Sequence, residues 1–237
     1  MPPDTGSDSN FERDLEQLAP QLGTPLTTEQ GQRLLAYLSL IQRWNRVYNL
    51  TAVRDSAEMF SVHLLDCLAV IAPMRRYLVG QDSARILDVG SGAGLPGVIL
   101  AILNPGWQVT CIDAVGKKAS FIRQVAAELG IPNLHAVHGR VEAAFGQQGS
   151  RRVTFDLITS RAFASLKDFT TLTQALLAPG ACWAAMKARV TEAERAELPP
   201  MIDVFHVEQL EVPDLDATRC LVWMRSRDTS RESAPQP

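Results

Sequence analysis

Apolar positions along this chain change their period once, near residue 80. Before it, Leu34, Leu35, Leu38, Ile41 and Trp44 recur at helical spacing and the stripe continues to Tyr48. Thr27 followed by Gln30 has the form of a capping box, which opens that helix. Asp55 or Ser56 can cap a second helix running through Phe60, Leu64, Leu65 and Leu68 to about Ile71. Residues 11–80 are therefore expected to form a helical N-terminal segment. After it come short apolar runs separated by helical stretches. Arg85–Val89, Gln108–Ile112, Leu134–Val137, Phe155–Thr159 and Ala181–Met186 read as strands, with helices near Pro96–Leu103, Lys117–Leu129 and Leu166–Leu177. Such alternation means right-handed crossovers and a parallel sheet covered on both faces. Two last runs, Val204–Val212 and Cys220–Arg225, look like a terminal antiparallel pair. The expected fold is α/β: a mostly parallel, doubly wound sheet of seven strands over residues 81–226. The polar ends, 1–10 and 227–237, read as disordered tails.

Composition narrows the class. No apolar run approaches the roughly 18 to 20 residues of a membrane helix, and MPPDTGSDSN lacks the regions of a signal peptide. Cys67, Cys111, Cys182 and Cys220 form no CxxC pair and no Cys/His cluster, so neither a disulfide framework nor a metal site is expected, and a cytoplasmic setting follows. The formal net charge of −3 does not by itself suggest a nucleic-acid partner. It is concentrated in residues 1–30, where Asp4, Asp8, Glu12, Asp14, Glu16 and Glu29 face Arg13 alone, leaving the rest net positive. Basic pairs stand at Arg75–Arg76, Lys117–Lys118 and Arg151–Arg152. Charge permits an RNA partner without demanding one.

The most informative segment runs from Asp88 to Gly97. Glycines at 90, 92 and 94 let the backbone turn sharply and approach a ligand, Pro96 suits a first helical turn, and the loop follows a strand of an open α/β sheet. Gly92, Gly94 and Gly97 also have dinucleotide-fingerprint spacing, so NAD competes with S-adenosylmethionine as the ligand. Asp88, two residues before the first glycine, gives the nucleoside-binding loop of class I methyltransferases. No Tyr-x-x-x-Lys pair stands ready for hydride chemistry. Asp113, 21 residues beyond Gly92, can accept hydrogen bonds from ribose hydroxyls of either ligand. Val141 and Glu142 can meet an adenine edge, although Glu142 equally suits a helix start.

The methyl acceptor is less legible. After the fourth strand the chain reads Thr159-Ser160-Arg161-Ala162-Phe163-Ala164, not the Asn/Asp-Pro-Pro-aromatic motif used on exocyclic amines, and no cysteine follows a proline as pyrimidine-carbon chemistry usually needs. A guanine N7 needs no general base, because its lone pair is free in the neutral base. Phe163 can stack on an extruded base or belong to the core, and Arg161 can hold a phosphate or the cofactor carboxylate. A non-catalytic RNA-binding module with the same fold is a further reading.

Separate motifs together carry a resemblance. They are Asn49-Leu50-Thr51-Ala52-Val53, His63-Leu64-Leu65-Asp66, Asp88 to Gly97, Lys117-Lys118 with Phe121, Val141-Glu142, Ser160-Arg161-Ala162-Phe163-Ala164 and Met186-Lys187. Over roughly residues 30–226 the chain resembles the bacterial small-subunit ribosomal RNA methyltransferase G family, also called glucose-inhibited division protein B. The resemblance departs at Cys67, where relatives usually have Ser, and at Ala188, where they usually have Gly. It implies N7 methylation of a guanine of 16S rRNA (guanine 527 in standard rRNA numbering). The substrate form stays open between free RNA, an assembly intermediate and a 30S subunit, and, as nothing in the sequence suggests an obligate dimer, a monomer is expected. The resemblance implies cofactor contacts at Gly90, Leu95, Val141, Glu142 and Arg161, with Asp113 at the ribose, and the glycine loop itself adds Asp88, Gly92 and Gly94 as cofactor-binding candidates. Arg54, Lys117, Lys118, Arg123, Lys187 and Arg189 stand as RNA-contact candidates, and Arg161 and Lys187 as catalytic candidates. His63 and Asp66, three apart on one helix face, can bond each other or face the cleft.

Overall fold

The computed structural model describes residues 5–145, 147–148, 151–161, 163 and 165–227. Its N-terminal segment is helical as expected: α1 (Thr5–Gln21), α2 (Thr28–Tyr48), then a helical run from Ser56 to Tyr77. That run comprises α3 (Ser56–Met59), a π-helical stretch (Phe60–Leu65), α4 (Asp66–Leu68) and α5 (Ile71–Tyr77). Thr27 and Gln30 form the reciprocal capping box, and Asp55 caps α3.

Two expectations change here. Helix α1 opens at Thr5, inside the stretch read as disordered, because Leu15 and Ala19 bury and Phe11 stacks on Phe60 with ring centroids 4.9 Å apart. Residues 1–4 and 228–237 of the expected tails lie outside the described residues. The run Ser56–Tyr77, 22 residues, is long and apolar enough to cross a membrane by length and composition, although no such run was expected. Its apolar window is 72% buried against the sheet and the other helices, which accounts for the composition.

The core contains β1 (Arg85–Val89), α6 (Gly97–Leu103), β2 (Gln108–Asp113), α7 (Gly116–Glu128), β3 (Leu134–His138) and α8 (Val141–Ala144). A two-residue ribbon, β4 (Gln147–Gln148) and β5 (Arg151–Arg152), leads to β6 (Phe155–Arg161) and α9 (Leu166–Thr173). Then come β7 (Leu177–Lys187), α10 (Glu192–Ala196), β8 (Ile202–Leu210) and β9 (Arg219–Ser226). The seven-stranded sheet has the order β3-β2-β1-β6-β7-β9-β8, parallel except for β9, which is antiparallel to both β7 and β8.

Strand periodicity of two sorts the core onto two faces. Ile86, Val109, Cys111, Leu157, Cys182, Ala184, Leu221 and Trp223 join the cluster under the N-terminal helices, α6 and α7. Their neighbours Leu87, Ile112, Ile158, Trp183, Ala185, Val222 and Met224 join the cluster under α8 and α9. Strand order reverses between β1 and β6, so the chain leaves these strands toward opposite faces and opens a crevice at their carboxyl ends.

Candidate active site at the carboxyl edge of the sheet

The loop after β1 occupies that crevice. Gly90, Gly92 and Gly94 have φ of 65°, 59° and 92°, a region that side chains rarely adopt. The N–H groups of Gly90 and Ser91 donate to the carbonyl of Ile112 at 2.9 and 3.2 Å, clipping the loop to the end of β2. From the other side, the buried Tyr37 hydroxyl of α2 donates to the Ala93 carbonyl at 2.7 Å. The N-terminal segment thus braces the loop directly, a role with no sequence signal, since Tyr37 sits among core positions of its helix.

Two carboxylates serve the loop differently. Asp113, at the end of β2, accepts from Gly92 N–H at 2.9 Å on Oδ2 and from Val115 N–H at 2.8 Å on Oδ1, with Lys118 Nζ at 3.8 Å. Each oxygen retains a second lone pair, and the residue lies at the mouth of the loop. Asp88 is fully buried beneath it: Oδ2 accepts from Gly97 N–H at 2.9 Å, while Oδ1 has no partner among the described residues. Burial pushes the Asp88 carboxyl up to about 7, against the lowering effect of the Gly97 N–H and of Arg161.

The remaining expected cofactor residues are spread around this centre. The Leu95 side chain is buried in the core, so only its backbone is offered to a ligand. Val141 is buried and Glu142 half-exposed in the first turn of α8, 3.7 Å from Arg140. Phe163 lies over Gly90, where an added Cβ would meet its Cδ2 at 3.8 Å, and its ring is 5.6 Å from that of Phe169. Phe163 therefore joins core and crevice. Ala162 and Ala164 lie outside the described residues.

Arg161, the last residue of β6, is committed to the N-terminal segment. Its Nη1 donates to the Val62 carbonyl at 2.9 Å and to Asp66 Oδ2 at 3.5 Å, and its Nη2 reaches His63 Nδ1 at 3.4 Å. Arginine only donates, so His63 Nδ1 accepts and its proton sits on Nε2, which donates to Thr51 Oγ1 at 2.8 Å. Asn45 holds Thr51 and Val53 through their backbone. His63 and Asp66 do not bond each other: both turn to Arg161, and Asp66 Oδ1 also accepts from Arg219 Nε at 2.9 Å. Burial, then the Arg161 charge, lowers His63 to about 4.

The RNA-contact candidates fall into two groups. Arg54, Lys117, Arg123 and Arg189 are exposed, with Arg54 bonded to Asn49 and Arg123 to Ser120. Lys118 leans on Asp113, which places it at the mouth of the glycine loop, and Lys187 is paired with Glu194 of α10. A small hollow at the ends of β6 and β7 is lined by Ser160, Phe163, Leu166, Met186 and Lys187. A groove between α1 and α2, lined by Glu12, Leu15, Glu16 and Leu35, lies away from this edge.

Asp88 and His63 make an opposed pair for stability against pH. The lowered His63 contributes stability that is present above about 6.5 and lost as pH falls toward about 4. The raised Asp88 contributes stability fully present below about 3.8 and lost as pH rises through about 7. Between about 4 and 6.5 the two offset, each with a slope of about 1.4 kcal/mol per pH unit at most. Asp88→Asn removes one side. In urea unfolding, the stability difference between wild type and variant should change steadily across that window, and parallel curves would refute the Asp88 assignment.

Comparison with known proteins agrees with this architecture. The family model described as rRNA small subunit methyltransferase G matches residues 30–222. Ribosomal RNA small subunit methyltransferase G of Methylibium petroleiphilum is 57% identical over 213 residues, covering 90% of this chain and 93% of that protein. The Acidovorax sp. protein of the same name is 50% identical, covering 92% and 97%. Among solved structures, an MtNAS mutant in complex with S-adenosylmethionine superposes with a TM-score of 0.56 at 14% identity, over 93% of this chain and 78% of that one. TrmN from Thermus thermophilus gives a TM-score of 0.50 at 19% identity, over 67% and 48%. These likenesses show the fold alone, a Rossmann-like α/β sheet. The curated relatives and the family model together show that this chain belongs to the rRNA small subunit methyltransferase G family.

Proposed function

We propose that the protein transfers the methyl group of S-adenosylmethionine to N7 of a guanine of 16S rRNA, guanine 527 in standard numbering, acting in the cytoplasm as a monomer on free RNA or a 30S particle. The observation that carries this reading is the glycine loop at the strand-order reversal, with Asp113 fixed at its mouth by two backbone N–H groups. The residues fit the cofactor. Asp113 keeps lone pairs for a ribose diol, a Cβ added at Gly90 or Gly92 would meet nothing nearer than 3.8 Å, and Val141 and Glu142 follow β3 for an adenine.

When bound, S-adenosylmethionine supplies an electrophilic methyl on a sulfonium. The chain's contribution is positioning, since guanine N7 attacks with a lone pair that needs no deprotonation. Phe163 offers a ring at the crevice for the base to stack on, and the hollow beside it is bounded by Ser160, Met186 and Lys187. The test is incorporation of labelled methyl into 16S rRNA, offered free and as 30S subunits from cells lacking this gene. Label on a guanine N7 supports the reading. Cofactor binding without label would redirect the acceptor, and binding of NAD instead would overturn the cofactor.

Lys187 is expected to reach RNA phosphate by exchanging Glu194 for it. Lys187→Ala should lower methyl incorporation about tenfold, the loss of about 1.4 kcal/mol, while cofactor affinity holds. An equal fall in cofactor affinity would remove Lys187 from the RNA face.

A further inference from the structure

The N-terminal helices also meet the carboxyl edge of the sheet through a chain of buried and partly buried polar groups. Thr51, His63, Val62 and Asp66 come from the loop after α2 and the helical run beyond it, Arg161 ends β6, and Arg219 begins β9. Asp66 is 5% exposed at its side chain and receives both arginines, whose side chains are 21–22% exposed. A buried carboxylate between two guanidinium groups neutralises a repulsion that would otherwise push them apart. The π-helical stretch Phe60–Leu65 contributes both the Val62 carbonyl and His63, a local widening of the kind often found at functional sites.

The donors of Arg161 can be counted. Nη1 spends its hydrogens on Val62 and Asp66, and Nη2 spends one on His63. Nε–H and the second Nη2 hydrogen have no acceptor among the described residues. Those two hydrogens are available to the oxygens of a carboxylate or phosphate. The N-terminal segment thus grips one side of Arg161 and leaves the other presented at the carboxyl edge.

We propose that Asp66 is a positioning residue for Arg161: it fixes which edge of the guanidinium faces the oxyanion of cofactor or RNA. The helical N-terminal segment is then part of the methyl-transfer machinery. The inference rests on the reading of the carboxyl edge as the methyl-transfer site. His63 completes the grip as a neutral acceptor, its tautomer set by Arg161 and held by Thr51.

A double-mutant cycle tests this. Asp66→Asn, nearly isosteric, is expected to lower kcat/KM for methyl transfer into 16S rRNA by about 10- to 100-fold, the scale of a misplaced positioning group. In an Arg161→Ala background the same change should cost no more than about threefold, because the group it aims is gone. Equal losses in both backgrounds would overturn the proposal. Where Asp66→Asn does not fold, Asp66→Glu takes its place: it keeps the charge, moves it by one methylene, and should lose transfer while urea unfolding stays near wild type. A rate that falls only in proportion to the folded fraction would reduce Asp66 to a structural role. The source of the oxyanion separates by parameter, since a cofactor carboxylate raises the KM for S-adenosylmethionine and an RNA phosphate raises that for RNA. If the wild type binds S-adenosylmethionine yet transfers nothing, the functional reading fails, and the cycle run on the cofactor Kd decides the positioning role, non-additivity upholding it and additivity overturning it.

Discussion

Asp113→Ala is expected to weaken S-adenosylmethionine binding by 100-fold or more, about 2.7 kcal/mol, and to abolish methyl incorporation at ordinary cofactor levels. The loss has two origins. The carboxylate holds Gly92 N–H and Val115 N–H at 2.9 and 2.8 Å, and without it both donors are unsatisfied at about 1–3 kcal/mol each, so the loop relaxes. The ribose hydroxyls also lose an ionised acceptor, and hydrogen bonds to a charged group are worth about 1.5–3 kcal/mol. Asp113→Asn separates the two contributions. Its single carbonyl oxygen can keep one backbone N–H, while its amide presents hydrogens where the other N–H points. Binding intermediate between wild type and Ala is the expected calorimetric result. Wild-type affinity in the Ala variant would remove Asp113 from the ribose and show that the loop holds its binding shape without this brace.

How much of this was legible in the sequence depends on how local each feature is. Strand β1 was read at both bounds because an apolar run lies between Arg85 and a glycine, and both faces of its sheet are covered. Strand β7 begins four residues earlier than its apolar run: Leu177 to Gly180 carry no strand pattern, and their pairing with β6 passes through an irregular register between Phe155 and Leu157. Helix α10 went unseen because none of its residues is buried, which leaves no periodicity to detect. The glycine loop and Asp113 were legible since backbone freedom and a strand-end carboxylate are written locally.

Arg161 shows the opposite case. Its type suggested an oxyanion partner, but its bonds to Val62 and Asp66 span 99 and 95 residues, and no spacing rule reaches that far. The same holds for the Tyr37 hydroxyl, whose partner Ala93 is 56 residues away. His63 and Asp66 looked like a pair because helical spacing puts them on one face. The fold supplies each with a stronger donor than the other could offer: Arg161 for both, and Arg219 for Asp66.

Gly97 carries the second large effect. An added Cβ there would stand 2.3 Å from Cys111 Sγ, 2.8 Å from Asp88 Oδ2 and 3.1 Å from Asp88 Cβ. All three neighbours are buried, and Asp88 Oδ2 is the acceptor for the Gly97 N–H itself, so the new methyl would push apart the bond that ties α6 to β1. Gly97→Ala should destabilise the protein by about 3 kcal/mol, the upper end of core overpacking. For a chain of this size that is a fall in Tm of about 6–12 °C. The cause is specific enough to be relieved. Cys111→Ala removes the sulfur that makes the closest contact, so the Gly97→Ala/Cys111→Ala double variant should melt above Gly97→Ala alone, although Cys111→Ala by itself leaves a small cavity. The relief should be partial, because the Asp88 contacts remain. Additive losses in thermal unfolding would mean that the strain lies elsewhere in the loop. Full recovery would mean that Asp88 can yield, and with it the brace beneath the glycine turn.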